Sequence, residues 1–185
     1  MTSQPVLAPP PATSGDESDL ITRIRSGDPA ALSTAYRLYA ADLLALGYRL
    51  TGSAADAEDV VQDLFVGLPE ALERYRDRGR LRPWLRKITV RLALMRLRSG
   101  RRRGEVDLAA AGTSLAAPAG RSDDDAYLWH GLEQLPEDQR AIVVLRVVEG
   151  YSHEEIAELL GIRPGTSKVR LHRSLKRLRA LLEAV

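Results

Sequence analysis

Gly150-Tyr-Ser-His-Glu-Glu-Ile-Ala-Glu-Leu-Leu-Gly-Ile-Arg-Pro-Gly-Thr-Ser-Lys-Val-Arg-Leu-His-Arg173 reads as two helices joined by a tight turn. Ser152 with Glu155 makes a capping-box pattern that starts the first helix, and Gly161 after Leu160 stops it. Pro164 suits the first position of the second helix, because the donor it lacks would be orphaned there anyway. At helical spacing Leu171, Ser174, Leu175, Leu178 and Leu182 share one face of that helix. Lys168, Val169, His172, Arg173 and Lys176 share the other. These are the parts of a helix-turn-helix whose second helix lies in the DNA major groove. An ordinary helical hairpin with a solvated basic face would carry the same charge. Cap, turn, proline and basic face agree in register, however, and that agreement favours contact with DNA.

Outward from this motif the charge is strongly segregated. The chain of 185 residues has a formal net charge of only +2. Residues 20–103 nevertheless hold 17 Lys and Arg against 9 Asp and Glu, and 104–125 hold one Arg against five acids. A basic block of that size points to a polyanionic partner. With no cysteine, disulfides and thiolate metal sites are excluded, which fits a reducing cytoplasm. No apolar run reaches the ~18 residues of a membrane span and no signal-peptide core opens the chain, so a soluble, cytoplasmic protein without membrane insertion is expected.

The pattern is helical nearly throughout. Residues 1–19 form an expected disordered tail, rich in Pro, Ser, Thr and Ala over 1–16. Asp28-Pro29 caps a helix to about Leu50, with Leu32, Ala35, Tyr36, Tyr39, Leu43 and Leu46 on its apolar side. Ser53 opens a helix over about 54–73, and Pro83 one to about Ser99. Residues 104–125 have linker composition. Leu135-Pro136 opens a further helix through Ala141–Val148, ahead of the helix-turn-helix. The fold class expected is all-α: two small helical domains, 20–103 and 126–185, joined by a flexible acidic linker.

Two helices of the first domain carry opposite charge. That over 54–73 holds six acids and no base, with Asp56, Asp59, Asp63 and Glu70 in one arc. Like charges at i, i+3 and i+4 repel by a few tenths of a kcal/mol per pair, so propensity does not explain them. An arginine-bearing protein surface would, as would simple solvation; four carboxylates along a stripe do not converge on a metal. Residues 74–103 carry thirteen Lys and Arg against only Asp77, with Tyr75 and Trp84 interleaved. Trp84, Leu85, Ile88, Leu92 and Met95 form the expected core face of the helix from Pro83, and Lys87, Arg91 and Arg98 a second stripe. Cations beside aromatic rings suit single-stranded nucleic acid, although Trp84 on the core stripe is at least as consistent with burial.

Five stretches together resemble the bacterial RNA polymerase sigma factors of the extracytoplasmic-function group within the sigma-70 family. They are Gly27-Asp-Pro-Ala-Ala-Leu, Asp56-Ala-Glu-Asp-Val-Val-Gln-Asp-Leu-Phe, Trp84-Leu-Arg-Lys-Ile, Leu135-Pro-Glu-Asp-Gln-Arg, and Tyr151 through Arg173. Each is weak alone, and their order and spacing are specific. The resemblance implies a factor made of sigma regions 2 and 4 that binds core RNA polymerase and directs initiation at −10 and −35 promoter elements. It implies that Asp56, Asp59, Gln62 and Asp63 meet the clamp helices of the largest polymerase subunit. Arg80, Trp84, Lys87, Arg91 and Arg98 would engage the −10 strand, with a flipped base held by the loop Arg74–Arg82. Lys168, Val169, Arg170, His172 and Arg173 would read the −35 element. An anti-sigma factor is a further partner that the resemblance implies. Neither cofactor, metal nor small-molecule substrate is expected.

The 22-residue linker reaches about 70 Å when extended, and the two promoter elements lie on the order of 50 Å apart. The chain departs from the family pattern at Gly67 and Pro69, where Pro69 is expected to kink the acidic helix near Phe65–Val66. Thr89-Val-Arg-Leu-Ala stands where many relatives show Ala-Arg-Asn-Leu-Ala. Ser167 and Val169 look exchanged relative to the common order, placing a small polar residue toward the core and an apolar one toward DNA. The alternative reading is a freestanding helix-turn-helix regulator that does not bind polymerase. An enzyme is disfavoured: His130, His153 and His172 are scattered, and no phosphate loop or nucleophile–base pair is present.

Overall fold

In the computed structural model, which describes residues 14–76, 80–103 and 129–183, every regular element among the described residues is helical. The order is α1 (Ser14–Arg25), α2 (Pro29–Thr51), α3 (Ala54–Glu73) and α4 (Leu81–Arg103), then a helical stretch over 129–133. Next come α5 (Glu137–Val143), which runs into a π-helical turn at Val144–Val148, α6 (His153–Leu160) and α7 (Pro164–Glu183). The linker expected at 104–125 lies outside the described residues.

Local chemistry sets the boundaries where the sequence marks them. The Asp28 carboxylate accepts from the Ala30 and Ala31 N–H groups at 2.8 and 3.3 Å, and Pro29 takes the first helical position. Ser53 caps α3 by accepting from Asp56 N–H at 3.2 Å. Pro69 lies inside α3 without ending it. Two helices differ from expectation: the one expected from Pro83 to about Ser99 runs from Leu81 to Arg103, and the first starts early. α1 begins at Ser14, so residues 14–19 are helix and not tail. Asp16 and Glu17 in its first turn and Arg23 and Arg25 in its last complement the helix dipole, while Leu20, Ile21 and Ile24 are buried.

Helices α1–α4 enclose one apolar cluster around Ile21, Ile24, Leu43, Leu68, Leu72, Leu81 and Leu85. A second cluster crosses between the two expected domains. Leu46, Leu50, Val60, Val90, Ala93 and Leu94 pack with Ala141, Ile142, Val144, Leu145 and Ile156. The C-terminal unit is therefore docked on the N-terminal one. A third cluster joins Trp129, Leu132, Leu135, Val143 and Leu178, with Tyr48 of α2 against it at 5.2 Å between ring centroids.

Docking explains a shift in the buried face of α4. Leu81, Leu85, Thr89, Val90, Ala93 and Leu94 are the covered residues, whereas Trp84, Ile88 and Leu92 are half-buried and Met95 is 61 % exposed. A helix packed on α2 and α3 alone would bury the stripe ending in Met95. Contact with α5 and α6 pulls the stripe round toward Val90 and Leu94. On α7, Ser174 and Leu178 are buried as expected, Leu171 and Leu182 are half-buried, and Leu175 is exposed.

At the end of α2 a single glycine meets two demands. Gly52 has φ +72° and returns its N–H to Tyr48 O. Buried Arg140 of α5 lies against it, donating to Leu50 O at 3.4 Å and Thr51 O at 2.6 Å, carbonyls that α2 leaves without intrahelical partners. A Cβ on Gly52 would come within 2.5 Å of the Arg140 guanidinium. Gly52→Ala is expected to lower unfolding free energy by more than the ~1–2 kcal/mol of a left-handed alanine alone, read by denaturant titration. A smaller loss would mean that Arg140 moves aside freely.

Candidate functional site

The helix-turn-helix forms as its local chemistry dictates. Ser152 Oγ accepts from Glu155 N–H at 3.1 Å, and Glu155 Oε2 accepts from Ser152 N–H at 2.8 Å. Donation by that Ser152 N–H holds the Glu155 carboxyl below its usual range. Gly161 turns the chain at φ +65°, and Pro164 opens α7. Lys168, Val169, His172 and Arg173 are exposed on α7, with Val169 50 % exposed among the cations. Ser167 is fully buried, its Oγ 3.0 Å from His153 Nδ1, which satisfies the polar atom facing the core. Arg170 is half-buried, with its guanidinium 3.7 Å from Asp138 of α5. Four of the five expected −35 contacts thus share one open face, and Arg170 leans away from it.

On α4, Lys87, Arg91 and Arg98 are exposed along one wall of an open groove floored by Leu94 and Met95. The opposite wall is Tyr151, Glu155, Glu158 and Leu159 of the helix-turn-helix. Arg98 donates to Leu159 O across the gap. A basic stripe suited to a nucleic-acid strand therefore faces an acidic helix of the same chain. Trp84 is not part of this groove. It is half-buried, with its ring 4.8 Å from that of Tyr75. Arg80 is exposed just before α4; Asp77, Arg78 and Gly79 of the expected base-holding loop lie outside the described residues.

The acidic arc of α3 divides in two. Arg96 of α4 donates to Asp56 Oδ1 at 2.7 Å and to Asp59 Oδ2, and the hydrogen bond with Asp56 holds its pKa above the ordinary guanidinium value. Those two carboxylates thus have a cation within the chain, which the sequence reading did not foresee. Gln62 and Asp63 are exposed. Beside them runs a shallow apolar trough between α2 and α3, lined by Leu32, Tyr36, Leu44, Val61, Phe65 and Val66. Tyr36 is 49 % exposed and Val66 76 %, the Tyr36 ring lying 5.0 Å from that of Phe65. Periodicity had assigned Tyr36 to the apolar side of α2, and Val66 lies off the apolar arc of α3.

A set of polar contacts fastens the two halves. The Glu149 side chain, only 5 % exposed, accepts from Arg86 Nη2 at 2.7 Å and lies 3.8 Å from Arg49. Arg86 also pairs with Asp42. The π-helical turn places Glu149 there. Glu149 N–H bonds to Val144 O, five residues back, so Glu149 continues the buried stripe that Val148 would occupy in an α-helix. Val147 and Val148 are exposed instead. Tyr48 adds a hydroxyl donated to Glu133 at 2.7 Å.

No group of acids or histidines among the described residues could hold a metal ion, and no described helix is long and apolar enough to cross a membrane. Residues 35–103 match the family described as Sigma-70 region 2, and 126–178 that described as Sigma-70, region 4. The chain is 36 % identical to RNA polymerase sigma factor CarQ of Myxococcus xanthus, over 86 % of this chain and 94 % of that protein. It is 32 % identical to ECF RNA polymerase sigma factor SigL of Mycobacterium tuberculosis, over 85 % and 92 %. A solved structure of the sigma factor RpoE with the anti-sigma factor NepR, from Bartonella quintana, superposes with a TM-score of 0.59 at 27 % identity. It covers 82 % of this chain and 96 % of that one.

Glu149→Ala is expected to weaken docking by roughly 2–3 kcal/mol, below the ~3–5 of a fully buried pair because Arg86 is 24 % exposed. Fluorescence energy transfer between dyes on α1 and α7 reads the separation of the halves; unchanged transfer would mean that the apolar seam and the remaining polar contacts hold them without Glu149.

Proposed function

We propose that this chain, which belongs to the extracytoplasmic-function group of the sigma-70 family, binds core RNA polymerase and directs it to promoters at −10 and −35 elements. It is a transcription-initiation factor; the polymerase performs the chemistry, and both work in the cytoplasm. The observation that carries this reading is the sorting of surfaces: an acidic and apolar face on α2–α3, a basic stripe on α4 and a basic face on α7.

Gln62 and Asp63, with the Tyr36–Val66 trough beside them, form the surface for the polymerase clamp helices. An apolar strip with Glu58 on its α3 side, Asp63 nearby and Arg37 on its α2 side suits a partner helix that is basic along the edge facing α3. Asp56 and Asp59 extend that surface if arginines of the partner replace Arg96. Arg80, Lys87, Arg91 and Arg98 track the phosphates of the opened −10 strand, and Trp84 supports them from the half-buried side. Lys168, His172 and Arg173 meet the −35 duplex, where Val169 can touch a thymine methyl. A freestanding regulator would need neither the trough nor the α4 stripe.

The docked arrangement is a resting one. While Glu155 and Glu158 face Lys87, Arg91 and Arg98, they compete with a DNA strand for those cations and narrow access to them. Binding to polymerase and promoter separates the halves, and the linker supplies the reach. An anti-sigma partner, such as the one bound in the solved relative, would act by preventing that separation.

Asp63→Arg is expected to lower affinity for purified core polymerase by at least about tenfold while helix content is unchanged, because a like charge then faces the clamp. Retained affinity in a pull-down would remove Asp63 from the interface. Lys168→Ala with Arg173→Ala is expected to reduce the slope of log affinity against log salt by about 2 on −35 duplex. An unaltered slope would take both residues off the contact surface.

A further inference from the structure

Helix α7 carries two buried serines, and they are satisfied in different ways. Ser174 Oγ donates to Arg170 O at 2.8 Å, one turn back on its own helix, so it sets no relation to a neighbour. Ser167 Oγ, equally buried, lies 3.0 Å from His153 Nδ1 of α6. A hydroxyl shut away from water costs free energy unless it is partnered, and here the partner stands on another helix. His153 is itself held in place: Ser152 before it and Glu155 after it close the capping box at the start of α6. The bond therefore runs from a pinned point of α6 to the first turns of α7.

Residues two apart on a helix are about 200° apart in phase, on nearly opposite sides. Ser167 held inward thus turns Val169 outward, to the middle of the face that also carries His172, Arg173 and Lys176. Arg170, beside Asp138, leans away from that centre. The exposed side chains tolerate rotation of α7 unequally. A lysine or arginine on its long stem follows a phosphate through a small turn of the helix by changing rotamer. A valine, short and stiff at χ1, cannot. Contact with one base edge hence requires the helix to be held within about 10–20° of the productive orientation. Apolar packing alone gives a partial hold, since Leu178 is buried, Leu171 only half-buried and Leu175 exposed. A hydrogen bond adds the direction that apolar contact lacks.

We propose, on the sigma-factor reading above, that His153 and Ser167 are positioning residues for −35 recognition. They fix the rotation of α7 so that Val169 reads the 5-methyl group of one thymine in the duplex. Thymine alone carries an apolar group on its major-groove edge, so the base follows from the chemistry of the side chain. Neither His153 nor Ser167 touches DNA in this scheme.

The test uses the full chain with purified core polymerase on a promoter to which it directs initiation. Single thymidines on both strands of the −35 element are replaced by deoxyuridine, which removes the methyl and keeps every hydrogen-bonding group. For the unaltered protein, promoter affinity is expected to fall about fourfold at one position, the scale of one buried methyl group. Val169→Ser is expected to show no such position. His153→Asn, which keeps a hydrogen-bonding atom where Nδ1 stands, is expected to retain the methyl effect. His153→Phe keeps a ring without the bond, and Ser167→Ala removes the hydroxyl. Both are expected to lose less than about twofold at that position, with the slope of log affinity against log salt unchanged. Core affinity and helix content report that the variants are folded. If His153→Phe keeps the methyl effect, or His153→Asn loses it, the bond does not set the rotation and the proposal is overturned. It is overturned as well if no thymine is methyl-sensitive, or if the salt slope falls together with the methyl effect, since the pair then only stabilises the fold. Failure of the unaltered chain to direct polymerase to any promoter would instead defeat the sigma-factor reading.

Discussion

A carboxylate withdrawn from water must be met by cations, and Glu149 is met by arginines from two other helices. That requirement couples the C-terminal half to the N-terminal one more specifically than apolar packing can. Leu145 or Ile142 would be covered by many surfaces; Glu149 is satisfied only where Arg86 and Arg49 converge. The docked register follows from it, and so does the position of α6. With α6 in place, Glu155 and Glu158 come to stand opposite the basic stripe of α4.

The same economy of charge appears twice more. Arg96 neutralises two acids on the face assigned to polymerase, and Asp138 lies beside Arg170 on the helix assigned to DNA. In each case an internal partner stands in for an external one of like sign. Exposed or half-exposed ion pairs of this kind are worth little, about 0–1 kcal/mol each, so a partner offering several at once can displace them. Exchange of partners, and not creation of charge, is the mechanism the surfaces support.

Much of this was legible in the sequence because it is local. Caps at Asp28, Ser53 and Ser152, and the stop at Gly161, sit within four residues of the groups they satisfy. The exposure of Val169 followed from helical phase, and the burial of Ser167 from its exchange relative to the family's common order. What stayed hidden is what the chain decides at long range. Arg86 and Glu149 are 63 positions apart, and Arg140 and Thr51 are 89. A hydrophobic stripe also reads the same whether a helix buries it inside its own unit or against another, which is why Met95 was placed in the core and Leu94 was not. Glu17 was obscured by a neighbouring stretch of low complexity, although an acid in a first turn is itself a helix signal.

The π-helical turn at Val144–Val148 has a consequence for comparing such chains. It adds one residue to a single revolution, and that surplus decides whether a valine or a glutamate is presented to α4. Two chains with identical composition here, one wound tightly and one loosely, would differ in whether their halves cling together. Self-association of the halves is thus a property of winding, and aligning letters column by column would not detect it.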